Sequence, residues 1–256
     1  MMQPSMLTRL TQLEVEGFRS LSGVLLSWRK LAVILDAGGT ATRELVALFT
    51  LLKELAEGRL QQHLSRQEVL DGEFVRLTVE VDDSPYKVEL RCFPDGRWRI
   101  VREEYDYWQG LDLLLIDPER HPPREESVLS AQEAPVLDST PPVGEDSVDA
   151  EGRFLGEAMS GCLWSVRQFL RGFRIQPAGA FEAAAPGSFL FLEEPGLDLP
   201  AEELEARVQS ARAASAHSQV LLCTPSVSLA DAFAREEVIR VDTAEGVSRF
   251  VPLVPP

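Results

Sequence analysis

The stretch Leu31–Leu48, LAVILDAGGTATRELVAL, decides how this chain is read. Leu31 to Leu35 is wholly apolar and short, the pattern of a strand buried on both faces. Gly38 and Gly39 supply a turn. Leu45, Leu48, Phe49 and Leu52 then recur at helical spacing, which predicts a helix from about Ala41 to Glu57 ending near Gly58.

Strand, glycine turn and helix in that order form the layout of a phosphate-binding loop. A working loop reads G-x-x-x-x-G-K-[ST]. Its backbone N–H groups and lysine cradle phosphates while its hydroxyl holds Mg²⁺. On that frame Asp36 takes the first glycine, Ala41 the second, Thr42 the lysine and Arg43 the Ser/Thr. What is left to touch a phosphate is Gly38, Gly39, Thr40, Thr42 and Arg43. Asp36 opposes them: two like unit charges about 4 Å apart cost on the order of 4 kcal/mol at an effective dielectric near 20.

Working outward, Leu10–Glu16 alternates, Gly17-Phe18-Arg19-Ser20 turns, and Leu21–Trp28 continues as a second strand. Residues 59–73 read as loop with a short helix. Phe74–Val81, Tyr86–Phe93 and Arg97–Val101 alternate around turns at Asp82–Pro85 and Pro94–Gly96, an antiparallel meander with one buried face. Residues 117–149 are rich in proline and acid and read as a surface connection, with Ser127–Gln132 its ordered part. Phe154–Phe173 reads as a helix with Phe154, Ala158, Leu163, Val166 and Leu170 on one side. Ser188–Leu192 and Gln219–Cys223 are buried strands, Pro200–Ala214 an amphipathic helix with a solvated acidic face, and Ser228–Arg235 a short helix. Val238–Val241 and Val247–Pro252 read as closing edge strands. Buried strands alternating with helices imply a parallel sheet core.

The 256 residues carry a formal net charge of −16, which opposes broad contact with nucleic acid. No apolar run approaches the ~18 residues a membrane helix needs, so the expected compartment is the cytoplasm, away from membranes. Cys92, Cys162 and Cys223 form no CxxC pair and read as reduced core cysteines; His63, His121 and His217 read as exposed. Trp98, Tyr105, Tyr107 and Trp108 lack surrounding lysines and suit packing better than base stacking.

Several segments, in order, resemble one family. Leu13–Leu21 (LEVEGFRSL) is similar to the opening strand and turn of ABC-type ATPase heads related to SMC and RecF proteins, more narrowly the compact bacterial heads described as AAA ATPases without a coiled coil. Ser127-Val128-Leu129-Ser130 resembles their serine-leucine segment. Phe189–Pro195 (FLFLEEP) resembles Walker B, and Gln219–Ser226 (QVLLCTPS) the last core strand and switch loop. The resemblance implies an α/β fold: a P-loop NTPase-like parallel core sheet flanked by helices, with an antiparallel β layer near the N-terminal half, as one head domain over residues 1–256.

The departures fall on chemistry. Pro225 stands where the family has a γ-phosphate-sensing histidine, and DAEGRF (Asp149–Phe154) lacks the Ser-x-Gly core of the signature. Walker B survives. The resemblance gives Glu193 the Mg²⁺ water shell and Glu194 the attacking water. The competing reading is an inherited strand-end pair facing solvent. The expectation is a pseudo-ATPase: a non-hydrolysing head, with no cofactor, that serves as scaffold or regulatory partner of an active head, another subunit or a second copy. The alternatives are a weakly active ATPase using ATP and Mg²⁺ in DNA repair or phage defence, and a module binding some other ligand at the old cleft.

Overall fold

Strand alternation divides the apolar residues of the buried strands between two faces, and the layers of the molecule follow from that division. In the computed structural model, residues 9–27, 29–65, 70, 72–107, 111–132, 161–178, 187–194, 196 and 198–254 are described. Five strands are parallel neighbours: β3 (Leu31–Leu35), β8 (Arg174–Pro177), β9 (Phe189–Glu193), β10 (Gln219–Thr224) and β11 (Val238–Ala244). With antiparallel β12 (Val247–Pro252) they form a sheet of order β12-β11-β3-β10-β9-β8.

One face of this sheet carries Ala32, Ile34, Phe189, Phe191, Leu221 and Cys223, and packs in the larger core with helix α1 (Thr40–Glu57). The other carries Leu31, Val33, Leu190, Leu192, Val220 and Leu222. That face packs with α4 (Ala201–Ser215) and α5 (Val227–Ala230). Phe49 of α1 centres a cluster with Phe173, Phe189 and Phe191, at ring separations of 5.2, 5.0 and 5.6 Å. Truncating such a ring to alanine costs about 3–5 kcal/mol.

A second sheet packs into the same core as α1. Its order is β2-β1-β4-β5-β6-β7, all antiparallel. Its strands are β1 (Leu10–Glu16), β2 (Val24–Ser27), β4 (Phe74–Val81), β5 (Ser84–Cys92), β6 (Trp98–Tyr107) and β7 (Leu111–Ile116). Among the described residues the remaining α-helices are α2 (Leu60–Leu64) and α3, described over residues 161–171. Leu163, Val166 and Leu170 of α3 join the same core.

Gln219 ties the two sheets together. Its side-chain oxygen accepts from Leu10 N–H at 2.9 Å, and its amide nitrogen donates to the carbonyls of Leu10 (2.6 Å) and Arg29 (3.0 Å). Gly17 has no freedom of substitution: its φ is +75°, and an added Cβ would stand 2.3 Å from the Phe74 carbonyl oxygen.

Several expectations need correcting. The antiparallel layer is larger than the meander, because β1, β2 and β7 belong to it. Strand β8 joins the parallel sheet, and β11 is an interior strand, pairing with β3 through Val238, Ile239 and Arg240. Helix α5 is a single turn, followed by a separate 3-10 turn at Arg235–Glu237. Cys92 is exposed, whereas Cys223 is buried; His63 is half-buried. Trp98 and Tyr105 are buried in the core. Residues 133–149 of the expected connection, the signature-like DAEGRF, Phe154, Ala158, Trp108 and the Tyr107 side chain lie outside the described residues.

Candidate functional site

The carboxyl ends of the parallel strands are where open α/β sheets place ligands. Here they bring together Asp36 after β3, Glu193 and Glu194 at β9, and Thr224 ending β10 with Pro225-Ser226 after it. Asp36 is pinned there by its own backbone. Its N–H donates to the Thr224 carbonyl at 2.9 Å, and its carbonyl accepts from Gly39 N–H at 3.1 Å.

Its side chain turns inward. Asp36 is only 2% exposed. Its Oδ2 accepts from the Thr42 N–H at 2.8 Å and from the Thr42 hydroxyl at 3.0 Å. Gly39, at φ +66°, is the N-cap of α1 and offers no side chain. The carboxylate therefore does the capping from six residues upstream. A helix N-terminus carries about half a positive charge and orphan N–H donors, the combination that draws phosphate. In this chain the anion at that place is covalently supplied.

The loop is also short. α1 begins at Thr40, so residues 36–39 alone separate strand from helix. Residues 40 and 41, which lie between the two framing positions or on the second of them, are already helical. Thr42 is buried against Asp36. Arg43 is exposed, and its Nη2 lies 3.4 Å from the Thr40 hydroxyl. Gly38, Gly39, Thr40, Thr42 and Arg43 are thus gathered at one turn, with Thr42 folded back onto Asp36 and Arg43 Nη2 beside the Thr40 hydroxyl.

Glu193 and Glu194 diverge as well. Glu193 falls on the α1 side, near Cys223, and is half-buried. Burial, then the charges of Asp36 and Glu193, hold the Cys223 thiol well above its ordinary range, with the Thr42 contact opposing. Glu194 turns to the α4 side and is 6% exposed, which corrects the expectation that the pair faces solvent. Its Oε2 accepts from Arg207 Nε of α4 at 2.9 Å and its Oε1 from Gly196 N–H at 3.0 Å. A carboxylate so engaged is paired with a cation on the far side of the sheet from the loop. Arg207 and Gly196 carry no motif, so sequence reasoning did not find them.

Ser226 caps α5, its hydroxyl accepting from Leu229 N–H at 3.3 Å; Pro225 before it is half-buried and has no proton to give. Among the described residues no group of three or more His, Cys, Asp or Glu comes together to hold a metal. Arg43 stands at the position of the Mg²⁺ hydroxyl, and Asp36 is bonded to Thr42. Among the described residues no helix is long and apolar enough to cross a membrane.

No protein-family model and no curated protein matches the sequence. Solved structures do resemble it. An SMC head bound to the C-terminal winged-helix domain of ScpA is 15% identical, with 94% of this chain and 97% of that one covered, at a TM-score of 0.47. The SMC head domain from Thermotoga maritima is 15% identical over 95% and 98% of the two chains, at 0.44. The recombination mediator RecF is 10% identical over 95% and 98%, at 0.43. These three neighbours are SMC heads and RecF.

Proposed function

We propose that this chain is a pseudo-ATPase: an ABC-type head that does not hydrolyse ATP and acts as scaffold or regulatory partner of another protein. The observation that carries the proposal is the bond from Thr42 N–H to Asp36 at 2.8 Å, which places the chain's own anion at the α1 terminus. The engagement of Glu194 by Arg207 supports it, because a general base must be free to accept a proton from water.

ABC-type heads pair face to face across nucleotide. A head without the chemistry can still present that face to an active head, a different subunit or a second copy. The persistence of the core strands beside the loss of lysine, hydroxyl and histidine favours this over simple decay, which would also have damaged the apolar pattern.

Phosphate release from Mg-ATP tests the proposal. The full chain is expected to release no more phosphate than buffer, and Glu194→Gln to be indistinguishable from it. Turnover that disappears in Glu194→Gln would replace the proposal with the weakly active ATPase.

A further inference from the structure

The outward face of the antiparallel sheet carries charges in cross-strand rows. Glu16, Arg76, Glu89 and Arg102 stand opposite one another across β1, β4, β5 and β6. Thr78, Lys87 and Glu104 form the next row. Two adjoining concavities of about 350 and 260 Å³ open there, sharing Arg76, Glu89 and Arg102. Four of their lining residues are cations (Arg76, Lys87, Arg91, Arg102) and two are carboxylates (Glu89, Glu104); with Glu16, paired to Arg76 at 2.9 Å, the formal local charge is four minus three, or +1. The whole chain carries −16.

Cross-strand ion pairs of this kind ordinarily serve the sheet itself. What points beyond that is how Glu89 is used. Its side chain is 10% exposed, and it holds Arg76 Nε at 2.9 Å and Arg91 Nε at 2.7 Å. These guanidiniums hold the Glu89 carboxyl below its ordinary range, although burial alone would raise it. Both arginines are thus oriented from beneath by a buried carboxylate. Among the described residues the two terminal nitrogens of Arg91 and Nη2 of Arg76 have no partner, and Lys87 Nζ reaches its nearest carboxylate, Glu104, only at 4.0 Å. Arginine donors fixed in direction before a ligand arrives suit an oxyanion with several acceptor oxygens, because the ordering cost is already met.

We propose that this concavity binds the phosphate group of a small phosphorylated ligand. Its excess of cations, in a chain that is otherwise acidic, suits one compact anion. An extended polyanion such as duplex DNA would meet the acidic remainder of the molecule, so a compact ligand is favoured over nucleic acid. The proposal is independent of the fate of the nucleotide loop, which lies on the other sheet.

Calorimetric titration of the full chain with inorganic phosphate at low salt tests it, with circular dichroism confirming that each variant is folded. Saturable binding is expected, weakened about tenfold in Arg91→Ala and in Arg102→Ala, and unchanged in Arg43→Ala. Arg91 and Arg102 are each more than half exposed, so both variants should fold. A Glu89→Gln variant should also weaken binding, by releasing the two arginines. No saturable binding, equal binding in the Arg91 and Arg102 variants, or loss in Arg43→Ala would overturn the proposal. Tight binding of duplex DNA or of an acidic peptide on the same arginines, with phosphate not competing, would overturn it in favour of a macromolecular partner.

Discussion

Asp36 and Thr42 close the first turn of α1 on each other: one carboxylate oxygen accepts both the amide and the hydroxyl of a residue six positions later. Both side chains are more than nine-tenths buried. The contact gives the helix a cap that Gly39 cannot give, and it seats a negative charge at the end of the helix that favours one.

Removing that charge should cost stability. Asp36→Ala is expected to lower the free energy of unfolding by about 1–2 kcal/mol, the usual worth of a cap. Thr42→Val, which keeps the amide and loses the hydroxyl, should cost less, about 0.5–1.5 kcal/mol. Urea denaturation measures both; two neutral substitutions would mean that the cap is not formed.

Glu194 and Arg207 should be coupled. A double-mutant cycle with Glu194→Gln and Arg207→Ala is expected to give an interaction on the order of 1 kcal/mol in unfolding experiments. Additive single effects would show that Glu194 is not engaged by α4, and would leave it available at the strand end.

Gln219 makes three hydrogen bonds to backbone from one buried amide. Gln219→Leu should cost about 2–4 kcal/mol, since Leu10 N–H and two carbonyls lose their partners. Gln219→Glu should also destabilise, because a carboxylate cannot donate to the Leu10 carbonyl. Thermal unfolding distinguishes these from a tolerated surface change.

Tyr86 is fully buried, and its hydroxyl donates to Glu103 at 2.7 Å; Glu103 also accepts from the Ser127 hydroxyl and from Val128 and Leu129 N–H. Burial first, then the Glu103 charge, raises the Tyr86 pKa well above 10.0. A pKa raised in the folded state means that the contribution is intact below the unfolded value near 10 and is lost as pH climbs past it. Phenolate absorbance from Tyr86 should therefore appear only with alkaline unfolding, and Tyr86→Phe should weaken the alkaline fall in stability. Ionisation of Tyr86 near pH 10 in the folded protein would contradict this.

The thiols offer a parallel test without mutation. Cys92 is exposed, while Cys223 is buried with its pKa raised. An alkylating reagent should modify Cys92 in the folded protein and reach Cys223 only on unfolding.

Much of the fold was legible because its strands are either wholly apolar, as in β3, β9 and β10, or cleanly alternating, as in β4 and β5. α1 was placed to within one residue by its apolar period and by Gly58. What was missed had weak local signals. β8 is RIQP, four residues with a proline. The β11 strand becomes polar after Val241, hiding that its first residues lie inside the sheet. At the site, the residue types could be read but not their directions. The sequence puts Asp36 at the mouth as a repelling charge. A carboxylate folding back across a turn to a helix amide leaves no periodic trace. The motif puts Glu193 and Glu194 in one site, yet adjacent residues at a strand end point to opposite faces.

The most direct measurement is a titration of the full chain with a fluorescent Mg-ATP analogue. The Asp36 cap predicts no saturable, Mg²⁺-dependent signal at micromolar nucleotide. A micromolar Kd that depends on Mg²⁺ and is lost on Arg43→Ala would contradict it, because it would place a triphosphate where Asp36 stands.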